Sequence, residues 1–102
     1  MAKVYAIYKK PADARAFDAY YYGTHVPLAK TLPGLRRYEV TQGPLMNPAG
    51  EAPVHLVATL TFDSMAAIQA ALTSPQGAAT AADLANFAQA GVELLFGDTR
   101  EV

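Results

Sequence analysis

The chain has 102 residues and a mass of 10.8 kDa, which is enough for one ordinary domain and too little for a second core of useful size. Apolar residues make up 52% and charged residues 17%, a composition that excludes a disordered chain. The net charge of -1 provides no broad basic surface for nucleic acid or an anionic membrane, and the absence of cysteine excludes disulfides, thiol nucleophiles and thiolate metal sites.

The N-terminus and the hydropathy pattern bear on location. Residues 1–5 run straight into strand-like sequence, without the apolar stretch and cleavage site of a signal peptide. No segment holds 18 consecutive apolar residues, the length that a membrane-spanning helix requires. We therefore expect a soluble, cytoplasmic protein with neither a membrane nor a nucleic acid as its partner.

The N-terminal third predicts a strand followed by a kinked helix. β-Branched and aromatic residues dominate positions 3–9, which favours a strand. Positions 14–32 are predicted to be helical because apolar side chains recur there on one helical face. These side chains are Phe17, Tyr21, Leu28 and Leu32. Pro27 has no N–H to donate to the carbonyl of Gly23, so the helix should kink or break between these two residues.

The middle of the chain predicts two strands on either side of a long loop. Positions 35–41 read as the second strand, and positions 42–53 are rich in Gly and Pro, which indicates a loop. Positions 54–62 alternate in the manner of a third strand, with the apolar even-numbered residues on one face. This alternation places His55 on the opposite face.

The C-terminal third predicts two helical pieces and a last strand. Residues 63–64 and 74–75 each offer a serine as an N-cap, so the helical region should consist of two pieces. Gly91 is expected to end the second piece, and positions 92–96 are apolar enough for a fourth strand. The whole of 1–102 then forms a single domain.

The order β-α-β-β-α-β indicates a ferredoxin-like α+β fold, a four-stranded antiparallel sheet with both helices on one face. The first strand carries apolar groups on both faces, since Tyr5 and Ile7 alternate with Val4 and Ala6. Monomers rarely tolerate a large exposed apolar face. We therefore predict a homodimer whose sheets pack face to face across a two-fold axis.

One long segment resembles a known protein family. Positions 21–38 read YYGTHVPLAKTLPGLRRY and resemble the hallmark of the EthD-like family, named for ethyl tert-butyl ether degradation. Positions 62–64, 74–75 and 82–87 support the resemblance, which covers essentially the whole chain. It implies a dimeric α/β barrel with a small pocket between helices and sheet in each subunit. Similar barrels include cofactor-free oxygenases, isomerases, and dehydratases or decarboxylases that act on phenolic and polyketide-like compounds.

His25 is the main candidate for chemistry. On a helical wheel it lies at the edge of the apolar stripe and points towards the sheet, where an imidazole can act as a general acid or base. The alternative is a structural histidine whose ring N–H bonds a backbone carbonyl near the kink. The resemblance includes His25 in the family hallmark, and both interpretations stay open.

Three further residues are candidate ligand contacts. The hydroxyl groups of Tyr21 and Tyr38 would hold ligand oxygens. Arg37 would offset negative charge on the ligand. Each has an ordinary alternative, a core tyrosine in the first two cases and an ion pair with Glu39 in the third.

We expect neither a metal nor a cofactor. His25 and His55 are the only histidines, and the spacings typical of metal sites, P-loops and dinucleotide-binding loops are absent. The ligand is expected to be a small hydrophobic or aromatic molecule, held between the first helix, the 42–53 loop and the sheet. Three functions remain open: a cofactor-free enzyme of oxidoreductase, isomerase or dehydratase type with His25 as proton shuttle, a non-catalytic binding or accessory protein of a degradation pathway, and a purely structural dimer.

Overall fold

The computed structural model describes residues 1–102 and contains one layer of helices against one face of a sheet. In chain order the strands are β1 (Ala2–Lys9), β2 (Arg37–Val40), β3 (Met46–Asn47), β4 (Gly50–Glu51), β5 (Val54–Phe62) and β6 (Val92–Asp98). The α-helices are α1 (Ala14–Tyr20), α2 (Val26–Ala29), α3 (Met65–Leu72) and α4 (Pro75–Asp83). None of them has the length and hydropathy needed to cross a membrane.

The main sheet has four antiparallel strands in the order β2-β5-β1-β6, which confirms the predicted ferredoxin-like fold. The strands β3 and β4 form a separate hairpin inside the predicted 42–53 loop. The N-caps predicted for the two later helices are confirmed, because Ser64 and Ser74 each accept a backbone hydrogen bond at the helix start.

The core lies between the sheet and the helices. The even-numbered residues of β1, and those of β5 from Leu56 to Phe62, are buried, and Val4 pairs with Leu60 across the two strands. Tyr5 and Ile7, which alternate with them, are half-buried on the other face. The period-two pattern of these strands therefore decides which side chains meet the helices.

The predicted kink in the first helix is one turn of π-helix. Residues Tyr21–His25 form this turn between α1 and α2, and the N–H of Val26 donates to the carbonyl of Tyr21, five residues earlier. Pro27 follows at the start of α2, where its missing N–H is tolerated. The helical region ends at Ala29, which is earlier than the predicted limit at position 32.

A β-bulge at the start of β5 overturns the face predicted for His55. The pairing of β1 with β5 shifts register between Tyr8 and Lys9, which leaves His55 as an extra residue. Such a bulge breaks the alternation of faces. His55 consequently contacts Asp18 of α1 on the helix side of the sheet, the same side as Leu56.

Gly77 allows α4 to begin close to the end of α3, and this contact generates a prediction for stability. A Cβ at Gly77 would lie 2.2 Å from the carbonyl oxygen of Ala71 and 2.7 Å from that of Leu72, backbone atoms that no rotamer change can move. We expect Gly77→Ala to lower the free energy of unfolding by about 1–3 kcal/mol, measured by urea denaturation. Gly23→Ala is the control, since nothing lies within 4 Å of the added Cβ. Equal losses in the two variants would contradict this reading of the contact.

Candidate functional site

His25 and Asp83 form a buried hydrogen-bonded pair. His25 ends the π-turn and Asp83 ends α4, and their side chains are 5% and 8% exposed. The Nδ1 atom of His25 lies 2.9 Å from Oδ2 of Asp83. This contact joins two residues that are 58 positions apart in the sequence.

Asp83 accepts two more hydrogen bonds. The hydroxyl of Tyr20 donates to Oδ1 at 2.5 Å, and the side-chain amide of Asn86 donates to the same oxygen at 3.0 Å. Burial raises the pKa of Asp83, but the hydrogen bonds from Tyr20, Asn86 and His25 together outweigh burial and hold the pKa below its ordinary value. Asp83 is therefore a carboxylate at neutral pH.

The imidazole of His25 is neutral and held in one tautomer. Burial lowers its pKa below the ordinary value, and the hydrogen bond to Asp83 opposes that shift only in part. Because a carboxylate only accepts hydrogen bonds, Nδ1 carries the proton and Nε2 is unprotonated. Nε2 makes no hydrogen bond within the protein, and no buried side-chain polar atom lacks a partner, so Nε2 is accessible. His25 presents a free base.

Aromatic rings fix the orientation of His25. Its ring stacks on Tyr21 with a centroid distance of 5.5 Å and an interplanar angle of 29°. The ring of Phe87 lies 4.6 Å away, centroid to centroid, on a tilted approach. Both neighbours are buried, so the imidazole has little freedom to turn.

His25 lines a small apolar cavity between α4 and the β1–β6 side of the sheet. The cavity measures about 80 Å³, and hydrophobic residues supply 14 of the 17 that line it. This volume has room for roughly five or more water-sized groups. Leu94 and Phe96 of the edge strand β6 line it and are 43% and 47% exposed. The cavity therefore suits a small, largely apolar molecule.

Tyr38 supplies a hydroxyl to this cavity. Its oxygen lies 2.6 Å from the hydroxyl oxygen of Tyr21, which is fully buried and has no other partner for its hydrogen. Tyr21 therefore donates to Tyr38, and the O–H of Tyr38, a cavity-lining residue, is left free. Burial raises the pKa of both phenols, so each stays protonated at neutral pH.

The structure brings three of the four residues predicted for the site together and leaves out the fourth. His25, Tyr21 and Tyr38 are neighbours. Arg37 points to the other face of β2, where its side chain is 70% exposed and its Nε lies 3.2 Å from a carboxylate oxygen of Glu39. Successive strand residues face opposite sides, so Arg37 cannot offset charge in the cavity that Tyr38 lines.

Asp83 was not predicted from the sequence, although a signal for it exists. It is the only ionisable residue between Ser64 and Gly91, in an otherwise apolar and Ala-rich stretch. An isolated acid on a helix that packs against a core requires a partner. The identity of that partner is a tertiary property.

A second and larger cleft occupies the place where the sequence predicted the ligand pocket. It measures about 500 Å³ and is lined by α1, the 42–53 loop and the start of β5. His55 and Asp18 line this cleft, whereas His25 and Tyr38 do not. The predicted pocket and the predicted base thus belong to different sites. No group of three or more His, Asp or Glu side chains is arranged to hold a metal ion.

Comparison with known proteins identifies the family. Residues 9–91 match the family described as the EthD domain. The chain is 40% identical over 103 residues to the "Uncharacterized 11.0 kDa protein in thcB-thcC intergenic region" of Rhodococcus erythropolis, covering 100% of this chain and 98% of that protein. The crystal structure of an ethyl tert-butyl ether degradation (EthD) family protein from Bacillus halodurans has a TM-score of 0.91 and 34% identity, covering 98% of this chain and 99% of the other. The chain belongs to the EthD family, as its sequence indicated.

More distant solved structures share the fold alone. The hydroxynitrile lyase from Passiflora edulis has a TM-score of 0.75 at 15% identity, covering 99% and 94% of the two chains. SnoaB, a cofactor-independent oxygenase from Streptomyces nogalater, has a TM-score of 0.62 at 18% identity, covering 99% and 93%. A dimeric protein of unknown function and ferredoxin-like fold from Bacteroides fragilis has a TM-score of 0.63 at 17% identity, covering 96% and 95%.

The lowered pKa of His25 makes stability depend on pH. An unfolded histidine titrates near about pH 6.5, so below that pH the unfolded chain binds a proton that the folded chain does not. The contribution of neutral His25 is therefore complete above about pH 6.5 and is lost as the pH falls towards the folded pKa. We expect the free energy of unfolding to fall more steeply between about pH 7 and about pH 5.5 in the wild type than in His25→Gln, measured by urea denaturation. Glutamine binds no proton in this range, so identical slopes would refute the assignment.

Proposed function

We propose that this protein is a cofactor-free acid–base enzyme that moves a proton on a small hydrophobic or aromatic molecule bearing a carbonyl or phenolic oxygen. One observation carries the proposal: His25, hydrogen-bonded through Nδ1 to Asp83, and Tyr38 line the same apolar cavity. A base, an orienting carboxylate and a hydrogen-bond donor are the groups that such a proton transfer requires.

The His25–Asp83 pair has the arrangement of a general base rather than that of an activated nucleophile. The carboxylate fixes the tautomer and stabilises the imidazolium that forms when Nε2 takes up a proton. The lining of the cavity includes no serine, cysteine or lysine, and the hydroxyl of its one threonine, Thr80, donates to the carbonyl of Gln76 rather than to His25. Direct proton abstraction from the substrate is the chemistry that remains.

Tyr38 would stabilise the negative charge that this abstraction creates. When Nε2 of His25 removes a proton from the carbon beside a carbonyl, the electron pair passes to the carbonyl oxygen, and the O–H of Tyr38 donates to that oxygen. The hydrogen bond from Tyr21 to Tyr38 polarises this donor. Return of the proton to another carbon completes an isomerisation, and its transfer to a departing hydroxyl completes a dehydration.

The walls of the cavity define the substrate class. Their apolar character favours a hydrophobic molecule. The volume of about 80 Å³ is below the roughly 300–1,000 Å³ of ordinary ligand sites, so the part of the molecule that enters the cavity is no larger than about one ring. The name of one protein of the same fold, SnoaB, a cofactor-independent oxygenase, supports cofactor-free chemistry on this scaffold as an analogy.

A homodimer is the second part of the proposal. Tyr5, Ile7 and Val57 lie on the sheet face that is turned away from the helices, and Leu95 on the same face is 48% exposed. Packing two such faces together would remove this apolar surface from water and form a dimeric α/β barrel. The structure from Bacteroides fragilis, described as dimeric, supports a dimer of this fold.

Hydrogen–deuterium exchange tests the base. Phenylacetone carries one ring and acidic C–H groups beside a carbonyl, and its exchange in D₂O can be followed by NMR. We expect the wild type to accelerate exchange by about 100-fold or more over His25→Gln, since general bases contribute on that order. Tyr38→Phe should slow exchange in part. Tyr22→Phe is the control, because Tyr22 is exposed outside this cavity. Binding of phenylacetone without accelerated exchange would favour the non-catalytic binding protein instead.

Light scattering tests the dimer with two neighbouring variants. We expect the wild type at micromolar concentration to have twice the 10.8 kDa mass of one chain. Leu95→Lys places a charge on the proposed interface and should yield monomers. Leu94→Lys, at a similarly exposed position on the opposite face of β6, should remain dimeric. A wild-type monomer would disprove the interface.

A further inference from the structure

The cleft at His55 is separate from the cavity at His25 in both location and lining. It lies between the N-terminal part of α1, the 42–53 loop and β5, and the two spaces have only Leu56 as a possible neighbour of both, with no lining residue in common. Its volume of about 500 Å³ is within the range of about 300–1,000 Å³ that small-molecule sites occupy. The proton-transfer function proposed above makes no use of it.

The β-bulge turns His55 into this cleft and neighbouring residues hold it there. Nε2 of His55 lies 2.8 Å from Oδ1 of Asp18, and the edge of the imidazole meets Phe17 at a centroid distance of 4.9 Å. Bulges are over-represented beside functional sites because they re-aim a side chain. Here the bulge and two contacts with α1 fix one histidine ring in the wall of a cleft.

The hydrogen bond to Asp18 determines what His55 offers to a ligand. A carboxylate only accepts, so Nε2 of His55 carries the hydrogen and Nδ1 is an unprotonated acceptor. Nδ1 makes no hydrogen bond within the protein, and no buried side-chain polar atom lacks a partner, so it is open to a ligand. A ligand must therefore donate a hydrogen bond to His55.

The charges that line the cleft exclude an anionic ligand. Asp18 and Glu51 bring two carboxylates, and Lys10, the one cation with them, is already ion-paired with Glu51. With two carboxylates against one ammonium, the lining carries an excess of negative charge, which repels carboxylates and phosphates. Both carboxylates already have partners, Glu51 in Lys10 and Asp18 in Nε2 of His55, so no unpaired anion awaits an organic cation and an uncharged hydrogen-bond donor is the best match.

The remaining walls offer flat apolar surfaces for a ring. Tyr22 is 48% exposed and lines the cleft, and Pro11, Pro44 and Leu45 line it from the adjacent loops. Aromatic and proline faces pack well against planar ligands. Together with the acceptor on His55, these surfaces define a site for an amphipathic ring.

We propose that this cleft is a second ligand site, which binds an uncharged, hydroxyl-bearing ring compound through the Nδ1 atom of His55. One ligand hydroxyl donates to Nδ1, and the ring lies against the apolar surface around Tyr22. The site is distinct from the cavity at His25 and stands whether or not that cavity is catalytic.

Titration with resorcinol, a benzenediol, tests the second site. We expect amide resonances of residues that line the cleft, such as Thr41 and Gln42, to shift in ¹H–¹⁵N NMR spectra. His55→Phe keeps an aromatic ring beside Phe17 but removes the acceptor, and should weaken resorcinol binding at least about tenfold. His25→Gln is the matched control and should leave these shifts and their affinity unchanged.

A second variant keeps the test decisive if His55→Phe is poorly folded by circular dichroism. Ala14→Trp adds a bulky ring at an exposed helix position that lines the cleft, without replacing a contact of His55, and should also weaken binding at least about tenfold. Benzoate should not bind because the carboxylates repel it. The proposal is overturned if resorcinol shifts no cleft residue, if its binding is lost in His25→Gln but kept in Ala14→Trp, or if benzoate or benzylamine binds as tightly.

Discussion

The buried hydrogen bond between His25 and Asp83 is the interaction on which the candidate active site depends. It joins the end of the π-turn to the end of α4, beside the cavity that His25 lines. The carboxylate remains ionised although it is buried, because Tyr20 and Asn86 donate to it together with the imidazole. A buried carboxylate with three hydrogen-bond donors is tolerated, whereas the loss of one donor leaves its negative charge less well compensated. The same set of contacts therefore serves both stability and the tautomer of His25.

Two departures from regular secondary structure position the two histidines. The π-turn places His25 at the junction with α2, and the β-bulge turns His55 towards α1. The first departure was predictable as a kink, because Pro27 lacks the N–H that a regular α-helix needs for its hydrogen bond to Gly23. The bulge was not, because β1 and β5 read as regular strands and only their pairing shows that one residue is extra.

Tyr38 and Arg37 show how much strand geometry decides about a site. They are adjacent in sequence and both are plausible ligand contacts, yet only Tyr38 lines the cavity with His25. The pleat of β2 sends the two side chains to opposite faces, one towards the helices and one towards solvent. Tyr21 does not line the cavity itself, but it contacts two residues that do, through its hydrogen bond to Tyr38 and its stacking on His25. The resulting site combines a base and a donor with no fixed cation near them.

The amino-acid order by itself determined the β-α-β-β-α-β order of the main elements, the ferredoxin-like fold, the two serine caps and the family, but not the short hairpin of β3 and β4. These features depend on periodicity, capping residues and a contiguous motif, which are local properties. Only the tertiary structure decided that Asp83 is the partner of His25, that His55 faces α1, and that the base and the larger cleft are separate. Contacts between residues far apart in the chain depend on the packing of the helices and on the register of the strands. Neither can be predicted from a short stretch of sequence.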